Sequence, residues 1–121
     1  MPNYLLLLHE STTAGPELGP DEIQTIIERY VAWSEDLRAR SLLIRGEKLR
    51  DDPGRVLRRE EDELVVRDGP YAETREIVGG IYLIQAGSLS EAEQICADCP
   101  HLALGGTIEL REIEDVSSGD A

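Results

Sequence analysis

The chain contains no Phe, and only one Trp and one Met among its 121 residues. Its core must therefore be assembled mainly from Leu, Ile, Val and Ala, with four Tyr as the commonest rings. Basic residues are also scarce, since 12 Lys and Arg face 25 Asp and Glu, leaving a formal charge of −13 and a pI near 4.4. A field of that sign repels phosphate backbones and anionic head groups, so nucleic acid and membrane surfaces are poor partners. Long apolar runs are missing too. The longest, Leu5 to Leu8, falls far short of the roughly 20 residues of a bilayer span, and no basic segment precedes it as in an export signal. The expectation is a cytoplasmic protein.

Cysteine is limited to Cys96 and Cys99, whose C-x-x-C spacing occurs in redox pairs and in half-sites for zinc. A reactive pair sits at a helix N-terminus, where the dipole favours thiolate; this pair falls in the last turn of a predicted helix, where the dipole opposes it. Zinc would need two more ligands, and His9 and His101 offer no regular spacing. Buried, reduced thiols follow, with no metal and no cofactor expected. Walker, dinucleotide-binding and Ser/His/Asp signatures do not occur either.

What remains is ample for one domain, with 40% hydrophobic and 31% charged residues. Tyr4 to Leu8 is a continuous apolar run suited to a central strand. His9 to Gly19 is rich in turn formers. Pro20 then opens a helix, with Asp21 and Glu22 at its positive end, and Ile23, Ile26, Ile27, Tyr30, Trp33 and Leu37 recur at steps of three and four up to about Arg40. A second strand begins at Leu42 to Ile44, with Gly46 read as an interruption or bulge. Val56–Leu57 and Leu64–Val66 flank an acidic tip and predict a hairpin. Ile81 to Ile84 is another central-type strand. Ser88 with Glu91 forms a capping-box signature for a second helix through about Cys99, stopped by Pro100, and Thr107 to Ile113 is the last strand.

Without its inserted hairpin, this order is the βαββαβ pattern of a ferredoxin-like α+β sandwich. The domain is taken as residues 1–114, with 115–121 a disordered tail. Two helices cover only one face of such a sheet, yet two of its strands are apolar on both faces. A second copy of the chain is the economical cover, which predicts a homodimer.

The most informative stretch runs Asp68-Gly69-Pro70-Tyr71-Ala72-Glu73-Thr74-Arg75-Glu76, followed by Gly79-Gly80-Ile81-Tyr82-Leu83-Ile84. It resembles the DGPF-type branch of the YCII-related family. The likeness extends to Tyr4-Leu5-Leu6-Leu7, Pro20-Asp21-Glu22, Gly46-Glu47 and Ser88 to Ala92, covering residues 4 to about 113. The resemblance implies a ferredoxin-like fold dimerising into an α+β barrel, and no reaction. Some members are proposed to use a His and an Asp as a catalytic pair, but that His lies in a region this sequence does not match. Tyr71 stands where the branch signature has Phe and adds a hydroxyl.

The residues themselves offer these site candidates. Asp68 is either a turn carboxylate accepting backbone N–H groups or a general base at the mouth of a cleft. His9, at the end of the first strand, is either a solvated loop histidine or an acid/base near neutral pH. Glu47, Tyr71, Thr74 and Glu76 are ligand-binding candidates, because their segments enter or leave strands that adjoin in the expected sheet. His101 is read as a loop residue of less promise. Two functions stay open: a dimeric small-molecule-binding or regulatory accessory module, or a small acid/base lyase or hydrolase acting on an organic substrate.

Overall fold

Along β1 (Asn3–Ser11) the alternate side chains go to different environments: Tyr4, Leu6 and Leu8 are buried, whereas Leu5 and Leu7 are half-buried on the opposite face. The computed structural model describes residues 1–11, 17–52, 54–69 and 76–115. In it, β1 is followed by α1 (Pro20–Ala39), β2 (Leu43–Lys48), a hairpin of β3 (Arg55–Glu60) and β4 (Glu63–Asp68), β5 (Glu76–Gln85), α2 (Leu89–Ala97), the short α3 (Pro100–Ala103) and β6 (Thr107–Glu112). The main sheet has the order β2-β5-β1-β6 and is antiparallel throughout; β3 and β4 form a separate two-stranded sheet. With the hairpin set aside, this is the ferredoxin-like α+β arrangement that the element order predicts. No helix among the described residues is long and apolar enough to cross a membrane.

The helices pack on one face. Trp33 and Leu37 of α1, and Ala92, Ile95 and Cys96 of α2, are buried with Cys99 against Tyr4, Leu6, Leu8 and Ile84 of the sheet. The helix starts follow the local chemistry. Pro20 occupies the first turn of α1, and Glu22 reaches back to accept from the Gly19 N–H at 3.3 Å. At α2 the Ser88 hydroxyl accepts from the Glu91 N–H at 3.2 Å while Glu91 accepts from Gly87 N–H at 2.8 Å.

Several details differ from expectation. Gly46 is not a bulge; it lies opposite Tyr82, whose ring occupies the space a Cβ would need, and the register instead shifts between Leu43 and Arg45. Pro100 ends one helix and begins another, because its fixed φ suits a first turn and its missing N–H costs nothing there. The second helix thus stops at Ala97, and His101 belongs to α3. The last strand ends at Glu112. Tail residues 116–121 lie outside the described residues. The α1 stripe is covered over only part of its length: Trp33 and Leu37 are buried, but Ile23 and Ile27 are 46% and 48% exposed, and Val31 is 49% exposed.

Candidate functional site

That uncovered half of α1 is one wall of a cleft of about 770 Å³, whose other walls are the end of β1, the start of β5, the end of β2 and the loop after α3. Leu8, Ile26, Ile27, Val31, Tyr82 and Leu104 give it a mainly apolar lining. An apolar cavity with a few convergent polar groups is the usual form of a small-molecule site.

The strand pairing places the polar groups. Leu8 pairs with Gly80 but His9 pairs with Val78, so Gly79 has no partner on β1 and β5 bulges there. Glu10, two residues beyond Leu8, faces the same side as Leu8 and lays its carboxylate on Gly79. A Cβ on Gly79 would come within 2.5 Å of Glu10 Oε1, so a larger residue there would displace the carboxylate from this position. Tyr30 comes from α1 and His101 from α3. His101 Nε2 lies 2.7 Å from the backbone oxygen of His9, and a carbonyl only accepts, so Nε2 carries the proton. In the neutral ring Nδ1 is then an acceptor, and it takes the hydroxyl proton of Tyr30 at 3.2 Å. Burial pushes the Tyr30 hydroxyl up to about 12, with Cys99, Tyr82 and the Glu10 carboxylate adding to the effect and Arg29 opposing it. Tyr30, which lines the cleft, therefore stays protonated throughout the neutral range.

Cys99, buried beside this group, has its thiol raised by burial, and burial with the neighbouring Cys99 and Glu93 lifts Cys96 to about 11. Both are thiols rather than thiolates at neutral pH, the condition of structural cysteine. Among the described residues no group of three or more His, Cys, Asp or Glu is arranged to hold a metal ion.

The residues singled out from sequence have the following places. His9 turns to the opposite face of the sheet, where its Nε2 lies 3.0 Å from Glu109 Oε1; its backbone oxygen, not its ring, serves the cleft. Glu47 lines the cleft but directs its carboxylate to Arg45, at 2.7 and 3.1 Å. Asp68 ends β4 and pairs with Arg55 at 2.7 Å on the exposed hairpin. Among the described residues no hydrogen bond or ion pair joins His9, Glu47 and Asp68 to one another. Glu76 opens β5 opposite Ser11 and is exposed. Tyr71 and Thr74 lie outside the described residues. Sequence reasoning passed over Glu10, Tyr30 and His101. Strand parity from Leu8 was the available signal for Glu10, and the hydroxyl that Tyr30 carries on the apolar stripe of α1 for Tyr30; nothing in the sequence announced the His101 contact.

The family model for the YCII-related domain matches residues 3–117. Over 66 residues the chain is 48% identical to an uncharacterized protein of Rhizobium meliloti (strain 1021). That stretch takes in 54% of this chain and 53% of the relative, so the match spans about half the length of that curated protein.

Gly106 supports the polar group from behind: a Cβ there would collide with the His101 ring. Gly106→Ala must displace the imidazole at its Nε2 end, where it donates to the His9 carbonyl, and cost roughly 1–3 kcal/mol, the usual penalty of overpacking. In ¹⁵N spectra of the imidazole, wild-type His101 should show the Nε2–H tautomer and the variant should lose that preference. An unchanged His101 signal would show that the ring is not held by these contacts.

Proposed function

Since the chain belongs to the YCII-related family, and family membership specifies no reaction, we propose from the cleft that it is a small-molecule-binding protein acting as a regulatory accessory module, working as a homodimer in the cytoplasm. The single observation that carries this reading is the 770 Å³ apolar cleft with Glu10, Tyr30 and His101 gathered at one end. We retain the DGPF-type branch as the subfamily, on the Asp68-Gly69-Pro70 run and the Gly79-Gly80 strand. The cytoplasmic placement is supported by the two free, buried thiols, since a reducing compartment is where thiols persist unpaired.

The dimer rests on a different surface. On the face opposite the helices, Leu5, Leu7, Ile81 and Leu83 form a half-buried apolar strip, bordered by the His9–Glu109 and Arg45–Glu47 pairs. A second copy laid on this strip would bury it. A second reading, acid/base catalysis, is favoured by one specific observation: a carboxylate, a phenol and an imidazole share the cleft, a set able to take and return a proton.

Two experiments follow. Val31→Trp places a large ring at the cleft mouth, on a residue 49% exposed, and should weaken cleft binding by about tenfold or more at little cost in thermal stability. Binding is measured by calorimetry with a ligand recovered from the purified protein, and mass spectrometry of the ligand afterwards tells binding from turnover. Full affinity in the variant would move the binding site elsewhere. Light scattering should give a particle of twice 13.4 kDa, reduced to one chain by Leu83→Glu. A wild-type monomer would remove the dimer.

A further inference from the structure

The polar end of the cleft offers acceptors. Glu10 is a carboxylate with two acceptor oxygens, and the proton of the Tyr30 hydroxyl is committed to His101 Nδ1, leaving its lone pairs for a ligand. The His101 Nε2 proton is in turn committed to the His9 carbonyl. Among the described residues two basic side chains line the cleft, and neither is shown at the Glu10–Tyr30 end: Lys48 is committed to its own neighbours, and Arg38 stands further along α1, beside Tyr82. The Lys48 ammonium donates to Leu49 O at 2.6 Å and to Asp51 at 2.9 Å. Arg38 lies eight residues beyond Tyr30 on α1, about 12 Å along the helix at 1.5 Å per residue. Residues 45–67 hold as many acidic as basic side chains, so the whole formal charge of −13 is borne by the rest of the chain, which includes Glu10 and the α1 wall.

From this we infer that the cleft takes an apolar organic amine, its ammonium group donating to Glu10 and Tyr30 and its hydrocarbon or aromatic body lying on Ile26, Ile27, Val31 and Leu104. The inference rests on the cleft being the ligand site and adds the chemical class. An ammonium supplies three donors and no acceptor, which complements two acceptor groups that line one cleft and are near enough for the Glu10 charge to act on Tyr30. Its hydrogen bond to a carboxylate is charge-assisted and stronger than a neutral one. A carboxylate ligand would meet Glu10 as a like charge and find no free donor at Tyr30. A neutral alcohol would satisfy one acceptor and leave the carboxylate without a countercharge. The acidic field also concentrates cations near the protein at low salt and repels anions.

Three probes with one body and different heads test the inference: 4-phenylbutylamine, 4-phenylbutanol and 4-phenylbutyrate. Binding to the wild-type protein is followed by calorimetry and by fluorescence of Trp33, the one tryptophan, whose ring stands 4.9 Å from the Tyr82 ring that lines the cleft. The amine should bind at least about tenfold more tightly than the alcohol, and the butyrate most weakly, at pH 7.5 and low salt. Glu10→Gln should remove most of the amine's advantage and leave the alcohol's affinity nearly unchanged. Tyr30→Phe should weaken both. If the alcohol or the butyrate matches the amine, and Val31→Trp abolishes that binding, the cleft is the ligand site and the amine inference is overturned. If no probe binds, or Val31→Trp leaves the amine bound, the inference falls; binding elsewhere also counts against the cleft.

Discussion

The antiparallel pairing of β1 with β5 governs most of what this protein can do. β1 lies between β5 and β6, so its alternation of side chains decides what both faces of the sheet present. Tyr4, Leu6 and Leu8 join the helices in the core, and the same parity carries Glu10 past the edge of that core into the cleft. The bulge at Gly79 completes the arrangement, because the missing side chain is the space the carboxylate occupies. One residue of slip between these strands would turn Glu10 outward and bring His9 in.

The cleft follows from a helix longer than its cover. The C-terminal part of α1 is anchored by Trp33 and Leu37, and the helix before them runs over the sheet end with Ile23, Ile27 and Val31 nearly half exposed. An apolar stripe usually means a core face, and here half of it does. The other half lines a cavity, with Tyr30 at the junction, in hydrogen-bond contact with α3. α3 itself presents His101 to Tyr30, and the loop after it turns at Gly105, at φ +89° in the left-handed region where glycine carries little cost.

Element types and order were legible in the sequence because their signals are local. Pro20 with Asp21 and Glu22, Ser88 with Glu91, and the apolar runs at Tyr4 to Leu8 and Ile81 to Ile84 each state a start, a cap or a central strand without help from distant residues. The bulges were less legible. Gly46 and Gly79 look alike in the sequence, yet one accommodates a ring and the other a carboxylate beside a register shift, and only the pairing distinguishes them. The candidate site was harder still. Strand-end position suggested His9 and Glu47, but which face a strand-end residue takes depends on parity through the bulge, and the His101 to Tyr30 bond joins residues 71 positions apart. From sequence, Cys96 and Cys99 read as buried thiols in the last turn of one helix; α2 ends at Ala97 and Cys99 instead precedes α3 as its N-cap, so it is burial that raises both thiols.

The central claim is that ligand occupies the space between α1 and the bulged end of the sheet. A crystal structure of the protein soaked with 4-phenylbutylamine tests it most directly. The account predicts density between Ile27, Val31 and Tyr82, with the nitrogen within hydrogen-bond distance of the Glu10 carboxylate and the Tyr30 oxygen. Density confined to the opposite face of the sheet, over Leu5 and Leu83, with nothing beside Glu10, would contradict it.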